Sequence, residues 1–182
     1  MNVLFYGDSN TFGYDPRSLL GSRYEPANRW VDILAVQTGW AVINAGQNGR
    51  EIPRRSFETA AARELICRHA PDLTVVMLGT NDLLQGAEPD IVAARMASFL
   101  QQLPHSLFLV APPPLQRGTW VTDDELVARS RLLGSHYRVL AQRLGISFAD
   151  AADWGVELTF DGVHFSECGH HTFAQKILKE LI

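Results

Sequence analysis

Cysteine is scarce: Cys67 and Cys168 are the only two in 182 residues, and they form neither a metal-ligand spacing nor a disulfide framework. A small stapled scaffold and a structural zinc domain are therefore excluded. Excess positive charge is missing too. With 16 Lys and Arg against 20 Asp and Glu the formal net charge is −4, so there is no broad basic field to drive nucleic-acid binding; Arg50, Arg54 and Arg55 form only a local spot. No run approaches the ~18 apolar residues of a membrane span, and the start Met1-Asn2-Val3-Leu4-Phe5-Tyr6-Gly7 lacks the basic and apolar regions of a signal peptide. Repeats, Gly/Ser linkers and charge blocks are absent as well. The expectation is a cytoplasmic protein in which residues 1–182 form a single domain, with a small-molecule partner and no nucleic-acid or membrane partner; self-association is left open.

What is present is a repeated alternation. Apolar runs of strand length occur at Val3–Tyr6, Trp40–Asn44, Leu73–Leu78, Leu107–Ala111 and Ile146–Phe148, mostly continuous, as in strands buried on both faces. Helical patterns separate them. Asn28 is a cap for a helix through Trp30, Ile33 and Leu34 that stops at Gly39, Ser56 caps one carrying Ala60, Ala61, Leu65 and Ile66, and Pro89 opens a third. Thr122 caps a fourth that ends at Gly145, and Ser166 leads into the last. Strands alternating with helices imply right-handed crossovers and a three-layer α/β/α sandwich around a five-stranded parallel sheet.

Ligands of such sheets bind beyond the carboxyl ends of the strands, so the residues that leave each strand carry the most information. Three strands end in polar, glycine-containing turns: Gly7-Asp8-Ser9-Asn10, Asn44-Ala45-Gly46-Gln47-Asn48-Gly49 and Gly79-Thr80-Asn81-Asp82. Each alone has an ordinary explanation in turn chemistry; all three together at one sheet edge suggest a site. A serine nucleophile needs a base and a group that orients the base. Among six histidines, His69 and His105 precede strands at the opposite edge, His136 lies inside the fourth helix, and His170 and His171 fall in the first turns of the last helix, where a surface or capping role is the default. His164 remains, three residues after Asp161 in a loop on the edge of Ser9, with Gly162 between them to permit a tight turn. Asp8 reads as a turn residue bonding nearby backbone.

These blocks resemble the SGNH (GDSL-like) hydrolase family, whose four named residues match as Ser9, Gly46, Asn81 and His164. The first block departs from Gly-Asp-Ser-Leu at Asn10. GDSNTFGYDP from Gly7, Arg29-Trp30, Asn48-Gly49-Arg50 and APPPL from Ala111 are similar to the arylesterase and acyltransferase-like branch, although Asn44-Ala45 stand where that branch carries acidic residues. The resemblance implies a flavodoxin-like SGNH fold and a serine esterase without metal or cofactor. Ser9 would attack, His164 would be the base, Asp161 would orient it, and the backbone N–H groups of Ser9 and Gly46 with the Asn81 amide would meet the oxyanion.

Substrate identity is less legible. The irregular stretch from Tyr14 to Asn28, which includes Pro16, Gly21 and Pro26, reads as a pocket wall or lid. Tyr14, Trp154 and Phe165 are candidate apolar lining, and Asn48 and Arg50 candidate partners for hydroxyl groups. The short chain favours small short-acyl esters, with carbohydrate O-acetyl esters as an alternative and lysophospholipase or thioesterase chemistry after that. A non-catalytic flavodoxin-like binding module is the competing class, but neither GxGxxG nor GxxxxGK[ST] follows the first strand.

Overall fold

The computed structural model describes residues 1–18, 20, 22–104 and 106–182. Gly21 and His105, both singled out above, lie outside the described residues. Five parallel strands, β1 (Asn2–Gly7), β2 (Ala41–Gly46), β3 (Leu73–Met77), β4 (Leu107–Ala111) and β5 (Ser147–Asp150), form one sheet in the order β2-β1-β3-β4-β5. The chain leaves β1 toward β2 and then crosses back to β3, so the topological switch lies at β1.

The continuous apolar runs are explained by burial on both faces. Leu4 and Tyr6 of β1, Val76 of β3 and Leu109 of β4 pack beneath α3 (Ser56–His69), α5 (Pro89–Leu100) and α6 (Asp124–Leu144). The alternate residues, Val3, Phe5, Val75 and Phe108, pack on the other face beneath α2 (Trp30–Thr38) and α7 (Glu167–Leu181). Each strand thus contributes to two cores, fully buried at the central strands and half-buried at the edge strand β2. Among the described residues no helix is long and apolar enough to cross a membrane.

Helix starts shift slightly from the sequence expectation. Arg55, not Ser56, takes the extended cap position of α3, because the Glu58 carboxylate reaches back to the N–H groups of Arg54 and Arg55 (both 3.0 Å). Asp123, not Thr122, caps α6 by accepting from Glu125 N–H at 2.9 Å. Asn28 belongs to a 3₁₀ turn, Pro26–Asn28, and its side chain goes instead to Glu167 Oε2, at 2.9 Å. Pro89 opens α5, Gly39 and Gly145 end α2 and α6 in the left-handed conformation, and Ser166 caps α7, as their residue types predict. Short helices α1 (Ser9–Phe12) and α4 (Thr80–Leu84) follow β1 and β3 directly and were not legible as helices.

Candidate active site

The turn after β1 builds the nucleophile position. Asp8 caps α1 by accepting from Asn10 N–H at 3.0 Å, which places Ser9 at the first helical residue. The Ser9 N–H has no carbonyl one turn earlier within a helix to bond, and it has no partner among the described residues. Asp8 is almost fully buried; burial raises its carboxyl to about 6, against the opposing effects of Asn10 N–H, His164 and Arg50.

The loop between β5 and α7 supplies the base. His164 Nε2 lies 3.0 Å from Ser9 Oγ, and His164 Nδ1 lies 2.6 Å from Asp161 Oδ2. An ionised carboxylate only accepts, so Nδ1 carries the ring proton and Nε2 presents its lone pair to the serine hydroxyl. The other Asp161 oxygen accepts from Thr159 Oγ1 (2.9 Å), Val163 N–H (2.8 Å) and His164 N–H (3.0 Å). Burial by itself would raise the Asp161 carboxyl, but the bond from the His164 ring, followed by those from His164 and Val163 N–H, outweighs it and holds the carboxyl down at about 2. Gly162 adopts φ +80°, and a Cβ there would collide with the Gln116 carbonyl. The segment after β4 is clasped onto this loop through Gln116 N–H to Gly162 O (3.0 Å) and Trp120 N–H to Asp161 O (3.2 Å).

Asn10 is a residue whose part the sequence did not reveal. Its Nδ2 donates to Val163 O (3.1 Å), its Oδ1 accepts from Phe165 N–H (2.9 Å), and its carbonyl accepts from Trp30 Nε1 (2.9 Å). The side chain thus grips the main chain on both sides of His164. A leucine could do neither; the available signal was a polar residue at a position where the family block carries an apolar one.

The second and third turns meet the first. Gln47 N–H donates to Gly7 O at 3.1 Å, and Asn81 Nδ2, of a half-buried amide, donates to Arg50 O at 3.0 Å, with no second acceptor among the described residues. A Cβ on Gly46 would strike the Phe12 backbone, so α1 can lie against β2 only because this residue is glycine. The Gly46 N–H, expected to be a free oxyanion donor, instead donates to Asn44 Oδ1 (3.0 Å) while Asn44 Nδ2 donates to Thr11 O (2.8 Å). The oxygen of the short amide at position 44 accepts from the backbone two residues on, as an Asp oxygen also can, but a carboxylate could not make the second bond, the donation to Thr11 O.

The proposed lining residues separate. The Tyr14 ring stands 4.7 Å from the His164 ring, at the base of a connection that folds back through the Tyr14 and Arg23 bridge. Trp120, missed by sequence reasoning because no periodicity marks it, has its ring centroid 5.3 Å from that of His164 and is 56% exposed. Phe165 does not line the site: it is 1% exposed and packs on Phe173, because its main chain is drawn inward by Asn10. Trp154 likewise packs on Phe173, with ring centroids 5.1 Å apart. Arg50 is turned onto protein carbonyls, and Asn48 is exposed beside it. His170 is no surface residue either; it is fully buried between Tyr24 and Phe165, and desolvation first, then His171, Arg29 and His164, lowers it to about 3. His171 stays exposed, 3.1 Å from Asn28 Oδ1. Among the described residues no group of three or more His, Cys, Asp or Glu side chains is placed to hold a metal.

Residues 5–172 match the model of the GDSL-like lipase/acylhydrolase family. The chain belongs to that family. Among curated proteins, none matches this GDSL-like hydrolase. Solved structures similar to it include the M. smegmatis aryl esterase, at 25% identity and TM-score 0.83 with 99% of this chain and 97% of that one covered. A carbohydrate acetylesterase from Sinorhizobium meliloti follows at 26% identity and TM-score 0.77, with 98% of each chain covered. Family and neighbours together make this GDSL-like protein a carboxylic ester hydrolase of SGNH fold.

Proposed function

We propose that the protein is a serine esterase acting on small, short-acyl esters through an acyl-enzyme on Ser9. The observation that carries the reading is the continuous relay of 2.6 Å and 3.0 Å contacts from Asp161 through His164 to the Ser9 hydroxyl. Ser9 Oγ attacks the ester carbonyl carbon as its proton passes to His164 Nε2; the C–O bond to the alcohol then breaks, and the imidazolium returns that proton to the leaving oxygen. Water repeats the sequence on the acyl-serine, giving up a proton to His164, and the carboxylic acid leaves as Ser9 regains its hydrogen. Charge on the tetrahedral oxygen is met by the Ser9 N–H and the second Asn81 amide hydrogen, and by Gly46 N–H once the Asn44 carboxamide yields it.

The small exposure of the two reacting side chains, 6% at Ser9 and 4% at His164, supports short acyl chains. Cavities of about 910 and 940 Å³ lie along α3, and neither is lined by Ser9, Asn81 or His164. Tyr14 and Trp120, both packed against the His164 ring, are aromatic surfaces suited to an acetyl group or to the ring of a leaving alcohol. Carbohydrate O-acetyl esters are the second reading, supported by the exposed indole of Trp120 and by the similarity to the Sinorhizobium enzyme. A fluorophosphonate should label native protein at Ser9 and fail on Ser9→Ala, and p-nitrophenyl esters should be screened beside acetylated sugars. Labelling elsewhere, or none on folded protein, would remove the hydrolytic reading in favour of a binding module.

A further inference from the structure

We propose that Arg50 is a positioning residue that locks the three strand-end turns of the candidate oxyanion site into one rigid unit. The proposal rests on the esterase reading for its kinetic consequence and on hydrogen bonding alone for its structural one. Arg50 Nη1 donates to Gly7 O at 2.9 Å and to Ala45 O, Nη2 donates to Gln47 Oε1 at 2.9 Å, and the guanidinium lies 4.1 Å over the Tyr6 ring. Gly7 O belongs to the peptide that enters Asp8 and Ser9. Ala45 O is the far end of the peptide unit whose N–H is that of Gly46, so the cation both fixes the plane of that unit and polarises its N–H. The main-chain carbonyl of Arg50 accepts from Asn81 Nδ2, and the other amide hydrogen has no acceptor among the described residues.

One residue therefore touches the main chain of the first and second turns and the side chain of the third. The following segment is pinned from the same third turn: Asp82, fully buried, accepts from Ile52 N–H at 2.9 Å and pairs with Arg95 at 2.8 Å. Substrate recognition does not account for a guanidinium turned onto two protein carbonyls, and a lysine ammonium cannot span the same fork of acceptors.

The test compares Arg50→Ala and Arg50→Lys with the native protein. A short-acyl ester should show kcat reduced by about 10- to 100-fold with KM little changed, the loss expected when donors drift from the developing oxyanion. Added guanidinium should restore part of the kcat of Arg50→Ala, and ammonium should not. In ¹H–¹⁵N spectra the Ser9 and Gly46 amides and the Asn81 side-chain amide should move while resonances of β4, β5 and α7 stay in place. The lysine variant keeps the stem and the charge, and provides the comparison if the alanine variant fails to fold. A raised KM with unchanged kcat would make Arg50 a substrate contact and overturn the proposal; unmoved amides would do so as well. The spectra need no turnover, so an inactive native protein would count against the esterase reading while the amides still decide the role of Arg50.

Discussion

Acid should destabilise this fold through His170, a group outside the proposed chemistry. The imidazole is fully buried between the Tyr24 and Phe165 rings, its Nδ1 accepts from Trp30 N–H at 3.4 Å, and its Nε2 has no partner among the described residues. Its pKa falls from 6.5 in the unfolded chain to about 3 in the folded one, so the unfolded state binds the extra proton and stability, fully present above 6.5, is lost as pH falls. The linkage relation gives a loss of about 2 kcal/mol between about pH 8 and about pH 5, and of ~5 kcal/mol at the acid limit. At roughly 2–4 °C per kcal/mol for a chain of this size, the first figure corresponds to ~4–8 °C in Tm. Asp8 acts in the opposite sense: its folded value of about 6 exceeds the ordinary 3.8, so it favours folding at low pH and loses that contribution as pH rises through 6. That offset is roughly 1 kcal/mol over the same window, and Asp161, held at about 2, titrates below it. A native profile alone therefore mixes the terms, and the informative quantity is its difference from His170→Asn, which keeps an acceptor for Trp30 and cannot titrate. Urea unfolding at several pH values, followed by tryptophan fluorescence, should show the variant losing about 2 kcal/mol less than the native protein between about pH 8 and about pH 5. The constant cost of altered packing cancels in that difference. Parallel profiles would refute the assignment of acid sensitivity to His170.

Much of the fold was legible because both-face burial leaves a simple imprint: Leu4 and Tyr6 serve one core, Val3 and Phe5 the other, and the run reads as continuously apolar. Ser9, Asp161 and His164 could be selected because strand polarity decides which loops share an edge, and the structure brings those three side chains together. What the sequence concealed depends on contacts between residues far apart in the chain. Asn10 grips the chain around His164 across 153 and 155 positions, and nothing local announces it. His170 looked like a helix-start residue, yet the helix turns it inward onto aromatic rings. Arg50 carried a charge that suggested a ligand, but the carbonyls it meets belong to turns whose proximity only the folded sheet creates. Trp120 lies in an aperiodic segment, placed beside His164 by main-chain bonds from Thr119 to Phe160 and from Trp120 to Asp161.

Asn81→Ala should lower kcat by about 10²- to 10³-fold with little change in KM, since it removes a donor that matters when charge develops on the carbonyl oxygen; steady-state kinetics on a short ester would check it, and an unaffected kcat would place the oxyanion elsewhere. Asp161→Asn should cost at least about 10³-fold in kcat, because an amide facing Nδ1 favours the tautomer that turns a hydrogen rather than a lone pair toward Ser9. An intact kcat would show that another group orients His164. Acyl length tests the shape of the site. Ser9 and His164 are only 6% and 4% exposed, the Tyr14 and Trp120 rings stand 4.7 Å and 5.3 Å from the His164 ring, and the cavities of about 910 and 940 Å³ along α3 are lined by neither Ser9 nor His164. A longer chain then runs out over the surface, where each added methylene forfeits the gain of about 0.8 kcal/mol that burial would bring. Across p-nitrophenyl esters kcat/KM should peak at acetate or butyrate and fall by at least roughly tenfold at octanoate, equivalent to about 1.4 kcal/mol of lost transition-state binding. A maximum at octanoate or beyond would mean that the Tyr14 connection opens into an acyl channel, and would move the substrate class toward lysophospholipids or thioesters. Negligible turnover of every simple ester together with release of acetate from acetylated sugars would make Trp120 a sugar platform and the protein a carbohydrate deacetylase.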